Sequence, residues 1–217
     1  MKNILSIITL LLLAAAPSSM GQGQISFNNR VIGQVVAPIY GTDPSGNYGR
    51  FSGNATTNGG SVDYTGFTLL SGTGYTAELW AEYSAGSDVF QPLSGIGAKV
   101  PFLAGTRAGF IAWTSQAVFV PWVTTTAMSV RFQVRAWDNK NGFVDTYAAS
   151  LASGASSGWS DIFTTQVNVP PGTPLGPVGL TSFNLIGPAM IPEPSVVMLA
   201  ALAGVALLWR RRVGRKS

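Results

Sequence analysis

The chain has no cysteine and no histidine, and only 10% of its 217 residues are charged. Without cysteine an exported domain gains nothing from disulfides and rests on packing alone. Without histidine the commonest general base and metal ligand is missing. A serine nucleophile would then need lysine, and Lys99 and Lys140 stand beside no recognisable partner. No glycine-rich phosphate loop precedes a helix, and no stretch of the body makes a convincing helix, so nucleotide binding finds no support. No cofactor is expected.

What is present begins with apolar runs at both ends. Lys2 precedes Ile4 to Ala16, interrupted only by Ser6 and Thr9 and followed by Pro17 and small residues, the layout of a secretory signal peptide. Cleavage can follow Ala16 or Gly21; the second is preferred, with Ser19 and Gly21 as the small residues. That assigns 1–21 to the signal peptide and makes Gln22 the new N-terminus.

At the other end Ile191-Pro192-Glu193-Pro194 leads into residues 195–209, which carry no charge, and then Arg210, Arg211, Arg212, Arg215 and Lys216. As a helix, 15 residues reach about 22 Å at 1.5 Å per residue, short for a hydrocarbon core of about 30 Å. Trp209 at the interface and snorkelling arginines let the segment span with local thinning. The basic tail, 210–217, is expected to stay cytoplasmic, which puts the body outside the inner membrane. Pro192 and Pro194 bias their neighbours towards extended backbone, so the transmembrane helix is expected to begin at or after Pro194.

Pro192, Glu193 and Pro194, the short apolar helix and the Arg210, Arg211, Arg212 cluster together resemble the PEP-CTERM sorting signal of Gram-negative bacteria. The resemblance covers about the last 27 residues, Ile191 to Ser217. It implies Sec export, transient residence in the inner membrane and sorting by a membrane-embedded exosortase, a cysteine transpeptidase-like enzyme. The destination it implies is the cell surface or extracellular matrix, in company with exopolysaccharide. The sorting region is taken as 188–217.

Between the ends, residues 22–187 are long enough for one domain with a real core. Its cations are Arg30, Arg50, Lys99, Arg107, Arg131, Arg135 and Lys140; its acids are Asp43, Asp63, Glu78, Glu82, Asp88, Asp138, Asp145 and Asp161. The whole-chain pI of about 9.6 therefore belongs to the tail, and no nucleic-acid partner is expected.

Apolar periodicity in the body is two, and its loops are rich in Gly, Ser, Thr and Asn, which points to an antiparallel all-β protein. The clearest strand is Tyr75 to Tyr83, with Ala77, Leu79 and Ala81 on one face and Glu78, Trp80 and Glu82 on the other. Met128 to Trp137 repeats the pattern. Weaker strands are expected at Gln24 to Val31, Val62 to Leu70, Ala98 to Phe102, Gly109 to Thr114, Ala117 to Val123, Phe143 to Ala148, Asp161 to Val169 and Leu180 to Ile186. Ala148 to Ala155 reads as a loop, because Gly154, Gly158 and the serines oppose a helical turn. Short strands at this spacing suggest an antiparallel β-sandwich, jelly-roll-like or immunoglobulin-like. The segments Gly74 to Trp80 and Val134 to Asn139 are similar to the bodies of other exported proteins with this tail, which implies a shared fold.

Glu78 and Glu82 have attachment points about 13 Å apart on one strand at roughly 3.3 Å per residue, wide of the roughly 5–9.5 Å carboxyl separation of glycosidases. Pairing with Arg131 and Arg135 across the sheet is the better account. Asp138-Asn139-Lys140-Asn141-Gly142 reads as a tight turn, since Lys140 stands where a calcium loop needs an oxygen ligand. Trp80 and Trp137 fall on the polar faces of their strands, where a flat ring can stack on a sugar. Trp113, Trp122 and Trp159 read as core or loop anchors.

No metal site and no enzyme activity is expected. The function expected is a structural or adhesive component of the matrix. The alternatives are a carbohydrate-binding protein using Trp80 or Trp137, and a glycan-acting hydrolase whose carboxylates converge from separate strands. N-terminal sequencing of the exported protein is expected to begin Gln22-Gly23-Gln24; a sequence starting at Met1 contradicts the signal peptide.

Overall fold

The alternation in 75–83 and 128–137 produces the two longest strands of the computed structural model, which describes residues 21–187 apart from 47, 48, 56–59, 85, 125 and 126. Residues 1–20 of the expected signal peptide and the sorting region from 188 onward, including Pro192, Glu193, Pro194, Arg210, Arg211 and Arg212, lie outside the described residues. In chain order the strands are β1 (Gly23–Ile25), β2 (Arg30–Val31), β3 (Val35–Val36), β4 (Ile39–Tyr40), β5 (Tyr75–Glu82) and β6 (Phe90–Pro92). They continue with β7 (Lys99–Pro101), β8 (Val118–Val120), β9 (Met128–Asp138), β10 (Ser157–Trp159), β11 (Phe163–Val167) and β12 (Phe183–Asn184). A single α-helix among the described residues, α1, runs Tyr147–Ala152. The body is mostly strand, and no helix among the described residues is long and apolar enough to cross a membrane.

Strands β5 and β9 pair antiparallel from Tyr75↔Asp138 to Ala81↔Phe132. This register sets Ala77 opposite Ala136 and Leu79 opposite Val134, and all four side chains are fully buried. Each outer side of the pair carries two short strands end to end. On β9 these are β10 and β11, where Trp159↔Arg135 and Phe163↔Phe132 leave three residues opposing two. That extra residue is a bulge. Ser160 bridges it: its N–H donates to Val134 O (2.8 Å) and its Oγ accepts from Val134 N (3.0 Å). On β5 the outer strands are β6 and β7; Leu93 N donates to Leu79 O and Leu79 N donates to Ala98 O, both at 2.9 Å, while residues 94–97 loop away.

The inner face of this sheet packs on Ile25 of β1, Val118 and Val120 of β8, Ile39 of β4, and on Phe27, Leu70, Phe183 and Leu185, all in one core cluster. Here the pairings are short: β1 with β8, β2 with β3, and β4 in parallel with β12. Gly23 is required at its place, since a Cβ there would meet Val167 Cγ1 at 2.5 Å and Val123 Cβ at 2.6 Å.

The expected strands at Val62 to Leu70 and Phe143 to Ala148 are corrected. The first makes only isolated bridges, Ala55↔Val62 and Tyr40↔Leu69, because Asp63 Oδ1 accepts from Thr65 N (2.9 Å) and turns the chain. The second leads into α1, where a loop was expected. Thr146 caps that helix by accepting from Ala149 N (3.1 Å), and the Ala-Ala-Ser-Leu-Ala run then favours it until Gly154 at φ +65°.

One buried polar side chain joins segments far apart in sequence. Asn29, fully buried, donates through Nδ2 to Ala37 O (2.8 Å) and Gly109 O (3.0 Å), and its Oδ1 accepts from Ile111 N (2.9 Å). Asn29→Ala orphans the Ala37 carbonyl and the Ile111 N–H and leaves the Gly109 carbonyl with Ile39 N alone, and the expected loss in urea unfolding is about 3 kcal/mol. A loss below about 1 kcal/mol contradicts this role.

Candidate functional site

The two tryptophans singled out from the sequence sit on the second face of the β5–β9 sheet, and the chain covers that face itself. After β9, Asn139 anchors the turn by donating through Nδ2 to Thr73 O (2.8 Å) and Thr76 Oγ1 (2.9 Å) while its Oδ1 accepts from Gly142 N (3.2 Å). Lys140 and Asn141 take positive φ, so the expected tight turn forms and sends the chain back over the sheet. Lys99 of β7 then pins the returning segment through an ion pair with Asp145 (2.7 Å).

Trp137 consequently has 0% exposure, donates from Nε1 to Val144 O (2.9 Å) and meets Tyr147 edge-on at 6.1 Å. Its expected role as a sugar-stacking ring is corrected, because neither face reaches solvent. Trp80 is half-buried. Its Nε1 donates to Glu78 Oε2 (2.8 Å), and the Arg135 guanidinium lies 3.7 Å from its ring centroid, so one face is already occupied by a cation. Tyr147 approaches its edge at 6.4 Å. Trp159 packs beside this cluster under Arg50, and Trp122 packs on the main core, both as anchors.

The two glutamates are held apart by separate partners. Glu82, 4% exposed, accepts from Arg131 Nη1 (2.9 Å) and from Asp88 N (3.0 Å). Glu78 faces Arg135 in the strand register but hydrogen-bonds to Trp80. Burial pushes the Glu78 carboxyl above its ordinary range, against the Trp80 hydrogen bond and the charges of Lys99 and Arg135, and burial pulls Arg135 down.

A different site, not singled out from the sequence, forms where Asn29 draws residues 28–30 against the 102–113 segment. Leu103 N donates to Phe110 O (2.8 Å) and Gly109 N to Leu70 O (2.7 Å), closing a loop around a 3-10 turn at Gly105–Arg107. Gly109 stands at φ +82°, with Leu69 Cδ2 2.7 Å from where a Cβ would be. The cleft beside this loop, about 210 Å³, is lined by Asn28, Arg30, Leu103, Arg107, Phe110 and Trp113, with Ile111 at its base.

Trp113, expected as a core or loop anchor, is instead 48% exposed. Its N–H donates to Ile111 O (2.8 Å), a three-residue turn that shifts the side-chain alternation and leaves the indole at the surface. The only signal in the sequence was the placing of Trp113 close after Arg107 and Phe110; Arg30 joins them through the tertiary fold.

Compared with protein-family models, curated proteins and solved structures, the chain matches none. Among the described residues no three His, Cys, Asp or Glu side chains gather as metal ligands would.

The raised Glu78 pKa fixes the sign of a pH effect. The folded state holds the Glu78 proton to higher pH than the unfolded chain, so this carboxyl contributes most stability at acid pH and loses it as pH rises through the raised pKa. Glu78→Gln keeps an acceptor for Trp80 and removes the titration. The variant is expected to gain stability relative to the parent as pH rises from about 4.5 to about 7, read as a widening Tm difference. A difference constant across that range contradicts the buried titration.

Proposed function

We propose that the chain is an exported protein of the cell surface or extracellular matrix, sorted through its C-terminal signal and serving there as a structural or adhesive component. The observation that carries the reading is the order at the C-terminus: Pro192-Glu193-Pro194, an uncharged run over 195–209, and Arg210, Arg211 and Arg212. The Sec machinery, an exosortase-type enzyme and, transiently, the inner membrane are its partners in this reading. Exopolysaccharide is its surrounding, and no catalytic role is assigned.

In the same reading the body is a two-layer sandwich, jelly-roll-like or immunoglobulin-like, with the antiparallel β5–β9 sheet as one layer and the short pairings of β1 with β8 and of β4 with β12 as the other; the parallel β4–β12 pair departs from the wholly antiparallel sandwich expected. Its last described stretch is tied into the fold, since Ile186 exchanges backbone hydrogen bonds with Ser157 at 2.8 and 3.1 Å. Only a few residues then separate the folded body from Pro192, which supports delivery of the body as one unit ahead of the sorting signal.

Carbohydrate binding is the second reading. The half-exposed indole of Trp113 beside Phe110 favours it, in place of Trp80 and Trp137. The hydrolase reading, with carboxylates converging from separate segments, has less support, because Glu82 and Asp88, which do converge, both pair with Arg131.

The test is the intact mass of protein recovered from the host's cell surface. Loss of residues 195–217 is the expected result. Retention of that tail on surface protein would sink the sorting reading.

A further inference from the structure

The cations of the body divide into two groups. Arg50, Lys99, Arg131 and Lys140 each form an ion pair with a carboxylate, and Arg135 lies opposite Glu78 in the β5–β9 register. Arg30 and Arg107 have no carboxylate partner among the described residues, both are exposed, and both line the cleft beside Trp113. Among the described residues no acid lines that cleft.

The site is also held in shape before any ligand arrives. Asn29 clamps the backbone on both sides of it through three buried hydrogen bonds. Asn28 Oδ1 accepts from Arg30 N (2.9 Å), and the Arg30 guanidinium rests 5.2 Å above the Phe110 ring. Trp113 Nε1 donates to Ser26 Oγ (3.1 Å), which fixes the plane of the indole.

We propose that this cleft binds a carboxylate-bearing saccharide, with Arg30 and Arg107 taking the carboxylate and Trp113 stacking on the pyranose ring. Guanidinium groups are planar, permanently charged donors that match a carboxylate in two parallel hydrogen bonds. The exposed indole offers a flat apolar surface to the C–H face of a sugar. A uronate presents both features on one ring. A small inorganic anion satisfies the arginines alone, a neutral sugar satisfies the indole alone, and an acidic peptide lacks the flat apolar face. The cleft is open to solvent along one side, so a residue within a polymer can enter without a free chain end. This inference rests on the carbohydrate-binding reading and is independent of the sorting reading.

The experiment is titration of the full chain, purified in mild detergent, with polygalacturonate, with the same polymer after reduction of its carboxyl groups, and with polyglutamate. Binding is followed by calorimetry and tryptophan emission. Polygalacturonate is expected to bind, and Arg107→Gln or Arg30→Gln to weaken it about tenfold. Trp113→Ala is expected to weaken it about three- to tenfold, and added salt to weaken it further. Arg30 and Arg107 are exposed, so their variants are expected to unfold at the parent's temperature, and Trp113→Ala slightly below it for loss of the Ser26 hydrogen bond; Lys140→Gln, which does not line the cleft, controls for bulk charge.

Equal binding of the reduced polymer, sensitive to Trp113→Ala and not to the arginine variants, overturns the acidic ligand and leaves the glycan-binding reading standing. Equal or tighter binding of polyglutamate overturns the saccharide. No binding of any polymer, or binding unchanged by all three cleft variants, overturns both the proposal and the glycan-binding reading.

Discussion

The register between β5 and β9 is the constraint on which the rest of the body depends. Side chains alternate across a strand, so Ala77 opposite Ala136 and Leu79 opposite Val134 commit one whole face to the core. The same register commits Glu78, Trp80, Glu82, Arg131 and Arg135 to the other face. A slip of one residue would exchange the two sets, exposing the apolar residues and burying the charges. The outer strands add to this pair only in short pieces, with a bulge at Ser160 on one side and the 94–97 loop on the other. The short lengths and the bulge also limit the straight edge available for unwanted pairing with another chain.

With no disulfide to close loops, the body joins its distant segments by burying polar groups that are fully hydrogen-bonded. Asn29 joins three stretches of backbone in this way, and Asn139 does the same where the chain turns back over the second sheet face. Such groups favour one arrangement strongly, because any other leaves a buried donor or acceptor without a partner. Asn29 thereby decides more than stability. It brings Arg30 and Arg107, residues distant in the chain, to one cleft that also holds an exposed indole.

The charges follow the same division between framework and surface. Most cations of a sparsely charged body are occupied within it: Arg131 with Glu82 and Asp88, Lys99 with Asp145, Arg50 with Asp161. On the second sheet face the rings of Trp80, Trp137 and Tyr147 enclose Arg135 and Glu78 instead of presenting themselves to solvent. Trp113 instead presents its ring at the surface, in the cleft that Arg30 and Arg107 line.

The sequence by itself determined the all-β character, the two central strands and the faces they present, because alternation is a local property carried by consecutive residues. It offered Arg131 and Arg135 as partners of Glu78 and Glu82 provided that the two strands are neighbours; the fold meets that condition, with an ion pair for Glu82 and Arg131. Tertiary structure alone decided which tryptophan is buried. Trp137 lies on a polar strand face that a returning segment, anchored by Asn139, covers, while a three-residue turn at Ile111 leaves Trp113 at the surface. The cleft of Arg30, Arg107 and Trp113 was likewise beyond local pattern, since it is assembled by hydrogen bonds between segments roughly eighty residues apart, as from Asn29 to Gly109 and Ile111.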